Sequence, residues 1–398
     1  MPPTIPEWLN RALHNPEYQR KMLCTLSERE QSRDLARSAS CLHQVNSIWK
    51  TSSPNDCHEN YQITEAMRTE NRRENRYGDV APFDRTRVIV EPNEQGKGRY
   101  LNANWVRELF GGKWWIATQA PLPNTTHTFL SLLLQPDSRP PPGLLPPNSS
   151  ESGSRIRTVV QLTKATEGKI TKAHPYFPNI IGESYIIPPP KGYHGTALKI
   201  TLLEEYQVKT AHCIKSIVRL IRCTPPVGEP DQSRYSKVDE VGEPVHFTHL
   251  LFTDWPDSGV PEGPGEKAAL LSFARLVTDV NLSPPPLLSQ GSSYHPDPPI
   301  SVNCSAGIGR TGSFIALCSL LRYYGFLSLT YSRENLTNLP PLPPSPLGKL
   351  PAQIAEDEVA SEVDSLREQR MSMVQRPKQQ ILVYELLAAA FYEAEGRK

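Results

Sequence analysis

Residues 300–314 read ISVNCSAGIGRTGSF, and the fold turns on how this stretch is read. The first four residues are β-type and the middle is small and permissive. Beyond Arg310 the apolar residues Phe314, Leu317, Cys318 and Leu321 fall at helical spacing. Cys304 therefore sits where a strand hands over to a helix through an almost bare loop. Glycines at 307 and 309 let the backbone curl so that successive N–H groups point inward, and the helix N-terminus adds its positive end. Ser305, Ala306, Gly307, Ile308 and Gly309 thus form an anion cradle suited to phosphate. Such a field lowers a thiol pKa to roughly 3.5–7.5, so Cys304 is expected to be a thiolate at neutral pH. Arg310 offers a planar fork for two phosphoryl oxygens and stays charged. Thr311 can donate a hydrogen bond to the sulfur as it leaves.

Outward from this loop, short β-type runs recur: RVIVEP, KWWIATQ, TVVQL, LKITLLEEY, IVRLIR and HFTHLLF. Covering helices follow from the spacing of Leu270, Phe273, Ala274 and Val277, from Val359, Val363 and Leu366, and from QQILVYELLAAAFYEA near the C-terminus. The expected class is α/β (α+β), one twisted mixed sheet flanked by helices. Residues 1–59 read as a polar helical extension ahead of a catalytic domain at 60–398. The 40 prolines concentrate near 135–154, 223–244, 282–299 and 339–351. Proline lacks the N–H that ladders and helix interiors need, so these stretches are expected as surface loop insertions. The last also has spacing suited to a polyproline-recognising partner, beside the blander reading of loop expansion.

A net charge of +1 provides no field for nucleic acid. The N-terminus lacks the apolar core of a secretory signal, and no segment approaches the roughly 18–20 apolar residues that span a bilayer. Seven cysteines without a pairing pattern suit a reducing compartment, the cytoplasm or the nucleus. A monomer is expected.

The string Cys-Ser-Ala-Gly-Ile-Gly-Arg-Thr-Gly, residues 304–312, resembles the signature loop of the cysteine-dependent protein tyrosine phosphatases of non-receptor type, His-Cys-Ser-Ala-Gly-x-Gly-Arg-Thr-Gly. Three further segments match in the family's order. FTDWPDSGVP (252–261) resembles the mobile Trp-Pro-Asp loop, which implies that Asp257 is the general acid; a phosphate ester expels its phenolate poorly unless that oxygen is protonated. ENRYGDVAPFD (74–84) resembles the phosphotyrosine-recognition loop, which implies that Tyr77 stacks on the substrate ring and deepens the pocket while Asp79 holds the peptide backbone. RMSMVQRPKQQ (370–380) resembles the glutamine loop, which implies that Gln375 places the hydrolytic water with help from Gln379. In TEGKITKAHPYFP (166–178) the resemblance puts Glu167 behind the catalytic arginine and Lys172 against the closed acid loop. It extends over roughly residues 60–395.

The resemblance implies hydrolysis of phosphotyrosine in signalling proteins through a cysteinyl-phosphate intermediate, without metal or organic cofactor. Three departures stand out: Glu74 where a basic residue is common, Leu130 for a familiar tryptophan, and Asn303 for the histidine before the cysteine. Asn303 cannot carry a positive charge. It motivates the rival reading, a catalytically weak phosphotyrosine-binding pseudophosphatase. A phosphatase of broader range is a second rival, against which Tyr77 speaks through pocket depth.

Overall fold

The computed structural model describes residues 4–45, 59–145, 154–224, 238–256, 259–283, 295–328 and 341–396. Among them the strands are β1 (Arg87–Val90), β2 (Arg99–Arg107), β3 (Trp114–Thr118), β4 (Thr158–Gln161), β5 (Thr166–Glu167), β6 (Ile170–Thr171), β7 (Ser184–Ile187), β8 (Ala197–Val208), β9 (Cys213–Cys223), β10 (Glu240–Phe252) and β11 (Ile300–Asn303). The helices are α1 (Glu7–His14), α2 (Pro16–Val45), α3 (Thr64–Met67), α4 (Thr126–Leu134), α5 (Pro264–Leu282), α6 (Gly309–Tyr323), α7 (Glu358–Gln369) and α8 (Pro377–Ala394). Nine strands make one sheet in the order β1-β2-β3-β11-β4-β10-β9-β8-β7, and β5 and β6 form a separate hairpin. The centre, β3-β11-β4-β10, is parallel, while both flanks are antiparallel. This is the mixed sheet flanked by helices that the run of strands predicts.

Helices cover both faces. One face carries α1, α2, α5, α6, α7 and α8, whose buried residues share a core with Trp115, Val160, Leu250 and Val302. The other packs α4 through Phe129, Leu130, Leu132 and Leu133 against Ile116, Val159 and Val218. All four residues of β11 are buried, as expected of a parallel strand covered on both sides. In sheets of this kind ligands bind beyond the carboxyl ends of the central strands, which is where β11 releases Cys304.

Three features differ from the pattern read in the sequence. α4, buried at all nine of its residues, gives no helical period because Phe129–Leu134 is an almost unbroken apolar run. The stretch 223–244, expected as a loop, is strand at both ends, because Cys223 pairs with Glu240 and β10 runs on through Pro244. A register shift between Val241 and Val245 accommodates the proline, which ladders tolerate at bulges. The N-terminal helices do not stand off from the rest. Trp8, Leu9, Met22 and Leu26 lie in the main core, and the hydroxyls of Tyr18 and Tyr384 both donate to Asp357, the N-cap of α7 (3.0 and 2.8 Å).

The proline-rich residues 341–351 lie against α2 and α7. Arg29 donates to the carbonyls of Leu347 and Gly348 (3.2 and 2.8 Å), and Ser345 Oγ donates to Glu368 (2.7 Å). The middles of the expected insertions, residues 146–153, 225–237, 284–294 and 329–340, lie outside the described residues.

Candidate active site

The cradle is residues 304–310, between β11 and α6. Gly307 has φ +73°, and a Cβ there would stand 2.1 Å from the Thr118 carbonyl oxygen, so conformation and space both require glycine. Gly307 N–H donates to Cys304 Sγ (3.3 Å). Cys304 is 5% exposed. Burial pushes its thiol up, but the Arg310 guanidinium, the Thr311 hydroxyl and the N–H groups of Thr311 and Ile308 pull harder, and the thiol lies below its ordinary value. The Thr311 hydroxyl has no other partner among the described residues, which leaves it for the sulfur.

Arg310 is held from behind. Its two terminal nitrogens donate to the two oxygens of Glu167 (2.6 and 2.8 Å), and Nη1 also to Leu162 O (3.1 Å). Thr163 Oγ1 fixes the same carboxylate at 2.9 Å. A fork–fork pair of this kind sets the guanidinium plane as well as its charge.

Arg370, at the end of α7, is a functional residue that the sequence reading did not single out. It is wholly buried and donates to Gly307 O, Ala306 O, Asn104 Oδ1 and Asn102 Oδ1 at 2.7–3.0 Å. Holding these two carbonyls leaves the N–H groups of the same peptides, those of Gly307 and Ile308, turned to Cys304. Burial draws its pKa down to about 10. The available signal was LNANWV, where two amides two apart on a buried strand require partners. Arg370→Met strands four buried acceptors, each worth about 1–3 kcal/mol. A loss of about 3 kcal/mol or more is expected in urea unfolding, and an unchanged midpoint would contradict this role.

On the recognition loop, Tyr77 OH lies 2.9 Å from Ser305 Oγ, and Ser305 donates its one proton to Lys172 O (2.8 Å). Tyr77 is therefore the donor in the pair. Arg76, also missed in the sequence, anchors this loop through Ala120 O, Pro121 O and His174 Nδ1. Gln119 bonds Arg76 N–H and Glu74 O. Asp79 is exposed beside them, and Lys172 is half-buried.

Gln375 is exposed and Gln379 buried, and both abut the cradle. A Cβ on Gly309 would stand 2.9 Å from Gln379 Oε1 and 3.4 Å from Gln375 Cβ. Gln379 Oε1 also accepts Arg376 N–H (3.1 Å) at the start of α8, which fixes its position. Asn303 is buried, and its Nδ2 donates to Cys304 O (3.1 Å). Asp257 and Ser258 lie outside the described residues. Beside them Trp255 is buried and donates to Gly259 O (3.2 Å). A cleft of about 800 Å³ runs between Trp255, Pro256 and the β5–β6 hairpin at Glu167 and Gly168.

A buried thiol inside a ring of N–H groups, with a paired arginine above it, is a site for a tetrahedral dianion and for nucleophilic attack upon it. The protein-tyrosine phosphatase family model matches residues 71–139 and 152–324, more than half of the chain. The chain belongs to the protein-tyrosine phosphatase family. It is 28% identical over 320 residues to human tyrosine-protein phosphatase non-receptor type 14, covering 80% of this chain and 21% of that protein. To human receptor-type tyrosine-protein phosphatase eta it is 28% identical over 253 residues, covering 63% of this chain and 14% of the relative. To rat tyrosine-protein phosphatase non-receptor type 20 it is 25% identical over 340 residues, covering 84% and 56%. The chain thus spans between about a seventh and just over half of these three relatives. Among the described residues no helix is long and apolar enough to cross a membrane.

Proposed function

We propose that this chain hydrolyses phosphotyrosine in signalling proteins through a phosphate ester of Cys304. The observation that carries the reading is Cys304 Sγ, which accepts the Gly307 N–H within a cradle whose arginine is fixed by Glu167. The thiolate attacks phosphorus while Arg310 and the N–H groups of residues 305–310 take the equatorial oxygens, and Asp257 protonates the departing tyrosine. Thr311 steadies the sulfur as a leaving group. Water placed by Gln375, with Gln379 behind it, then releases phosphate and gives its proton to Asp257.

Tyr77 and Asp79 supply the substrate side. The Tyr77 ring walls the entrance above Ser305, so a phosphoserine side chain is too short to reach the sulfur. Phosphotyrosine peptides are expected to be turned over at least about 10³-fold faster than phosphoserine peptides of the same sequence. Comparable kcat/KM values would overturn the depth argument.

The binding-only reading rests on Asn303. Its amide serves the Cys304 carbonyl, and the thiol is depressed without a neighbouring imidazole, which favours turnover. The setting proposed is a monomer in the cytoplasm or nucleus, acting on tyrosine-phosphorylated proteins. A polyproline-recognising partner for 339–351 would have to displace Arg29 and Glu368 from the described part of that segment.

A further inference from the structure

The loop that presents Gln375 has an unfavourable backbone. Ser372 and Val374 have φ of 53° and 56°, a region that non-glycine residues rarely occupy and a β-branched residue less than most. Such conformations persist only where surrounding structure over-determines them. From below, Ile308 O of the cradle accepts Val374 N–H (3.3 Å). From α7, Arg367 donates to Met373 O and Val374 O (both 2.9 Å). The third support comes from α2, which lies outside the residues matched by the family model. Leu26 O accepts Arg367 Nη1 (2.8 Å), and Glu30 Oε1 accepts both Ser372 N–H (2.8 Å) and Ser372 Oγ (3.2 Å).

Glu30 is itself fixed by Arg33 (3.3 Å) and Arg367 (3.9 Å). It is the only side-chain acceptor among the described residues bonded to the Ser372 N–H, three residues before Gln375. We propose that Glu30 is a positioning residue for the second chemical step. It holds the left-handed backbone at Ser372 so that Gln375 points at the cradle.

The proposal rests on the phosphatase reading. In that step a water oxygen bonds to phosphorus, the P–S bond breaks, its electron pair returns to Cys304 as thiolate, and the water's proton passes to Asp257. The first step, attack of Cys304 on the ester, places no demand on Gln375. Loss of Glu30 should therefore slow the second step alone.

The test uses the full chain and 4-nitrophenyl phosphate in rapid-quench and steady-state assays. For Glu30→Ala the transient rate of nitrophenol release should stay within about twofold of wild type. Steady-state turnover should fall about tenfold or more, with phosphate accumulating on Cys304. Glu30→Gln keeps an acceptor for the Ser372 N–H and should remain within about threefold of wild type. Ser372→Gly in the Glu30→Ala background should recover turnover, because glycine adopts this φ unaided. Unchanged turnover in Glu30→Ala, or a parallel fall in both rates without rescue by Ser372→Gly, would overturn the proposal. A wild-type chain that forms no phosphoenzyme would instead overturn the phosphatase reading, and this proposal with it.

Discussion

Cys304→Ser is expected to lower phosphate release from phosphotyrosine peptides by a factor on the order of 10⁴ or more. Serine preserves the shape of the loop and can still accept the Gly307 N–H, so substrate binding should survive. What is lost is the ionised nucleophile, since an alcohol does not deprotonate in this field near neutrality. The same field sets a pH dependence. With the thiol pKa below its usual value, the thiolate persists at pH values where a free cysteine is protonated and is lost only as pH falls through the depressed value. The midpoint of the pH profile for iodoacetamide alkylation of Cys304 should therefore lie below that of a free cysteine, and a midpoint at or above the free-cysteine value would contradict it. Asn303→His would add a titratable positive group next to the thiol, so the alkylation profile should shift to lower pH.

Arg310→Lys should cost about 10²–10³-fold in kcat/KM, through both binding and the transition state. Lysine keeps the charge but cannot span the two Glu167 oxygens while also presenting a planar pair of donors to phosphate. The Glu167 carboxylate, pinned by Thr163, would then pull the ammonium away from the cradle. A loss below about tenfold would show that charge alone suffices and that the bidentate pairing is only structural.

Much of this site is local in sequence, and that is why it could be read there. The cradle is one continuous strand, loop and helix, so the requirements of Gly307 and Arg310 are written within ten residues of each other. The helix at Leu270–Val277 showed because Ser272 and Arg275 give it a partly exposed polar side, and the one at Phe314–Leu321 because its apolar residues keep helical spacing although it is buried throughout. What escaped depends on distant partners. Arg370 looks like any charge near the end of a helix until Asn102 and Asn104 of β2 are brought beneath it. Nothing near Glu30 in the chain indicates that it meets Ser372. α4 was silent because Phe129–Leu134 is an almost unbroken apolar run that shows no helical spacing. Prolines near 223–244 concealed a hairpin whose bulge accommodates Pro244.

Phosphate is expected to pass through Cys304. Wild-type chain mixed with a phosphotyrosine peptide, quenched in acid within milliseconds and digested, is predicted to carry phosphate on the peptide containing Cys304. That label should be absent from Cys304→Ser and should chase into inorganic phosphate when the quench is delayed. Phosphate release with no label ever on Cys304, or undiminished turnover by Cys304→Ser, would contradict the account.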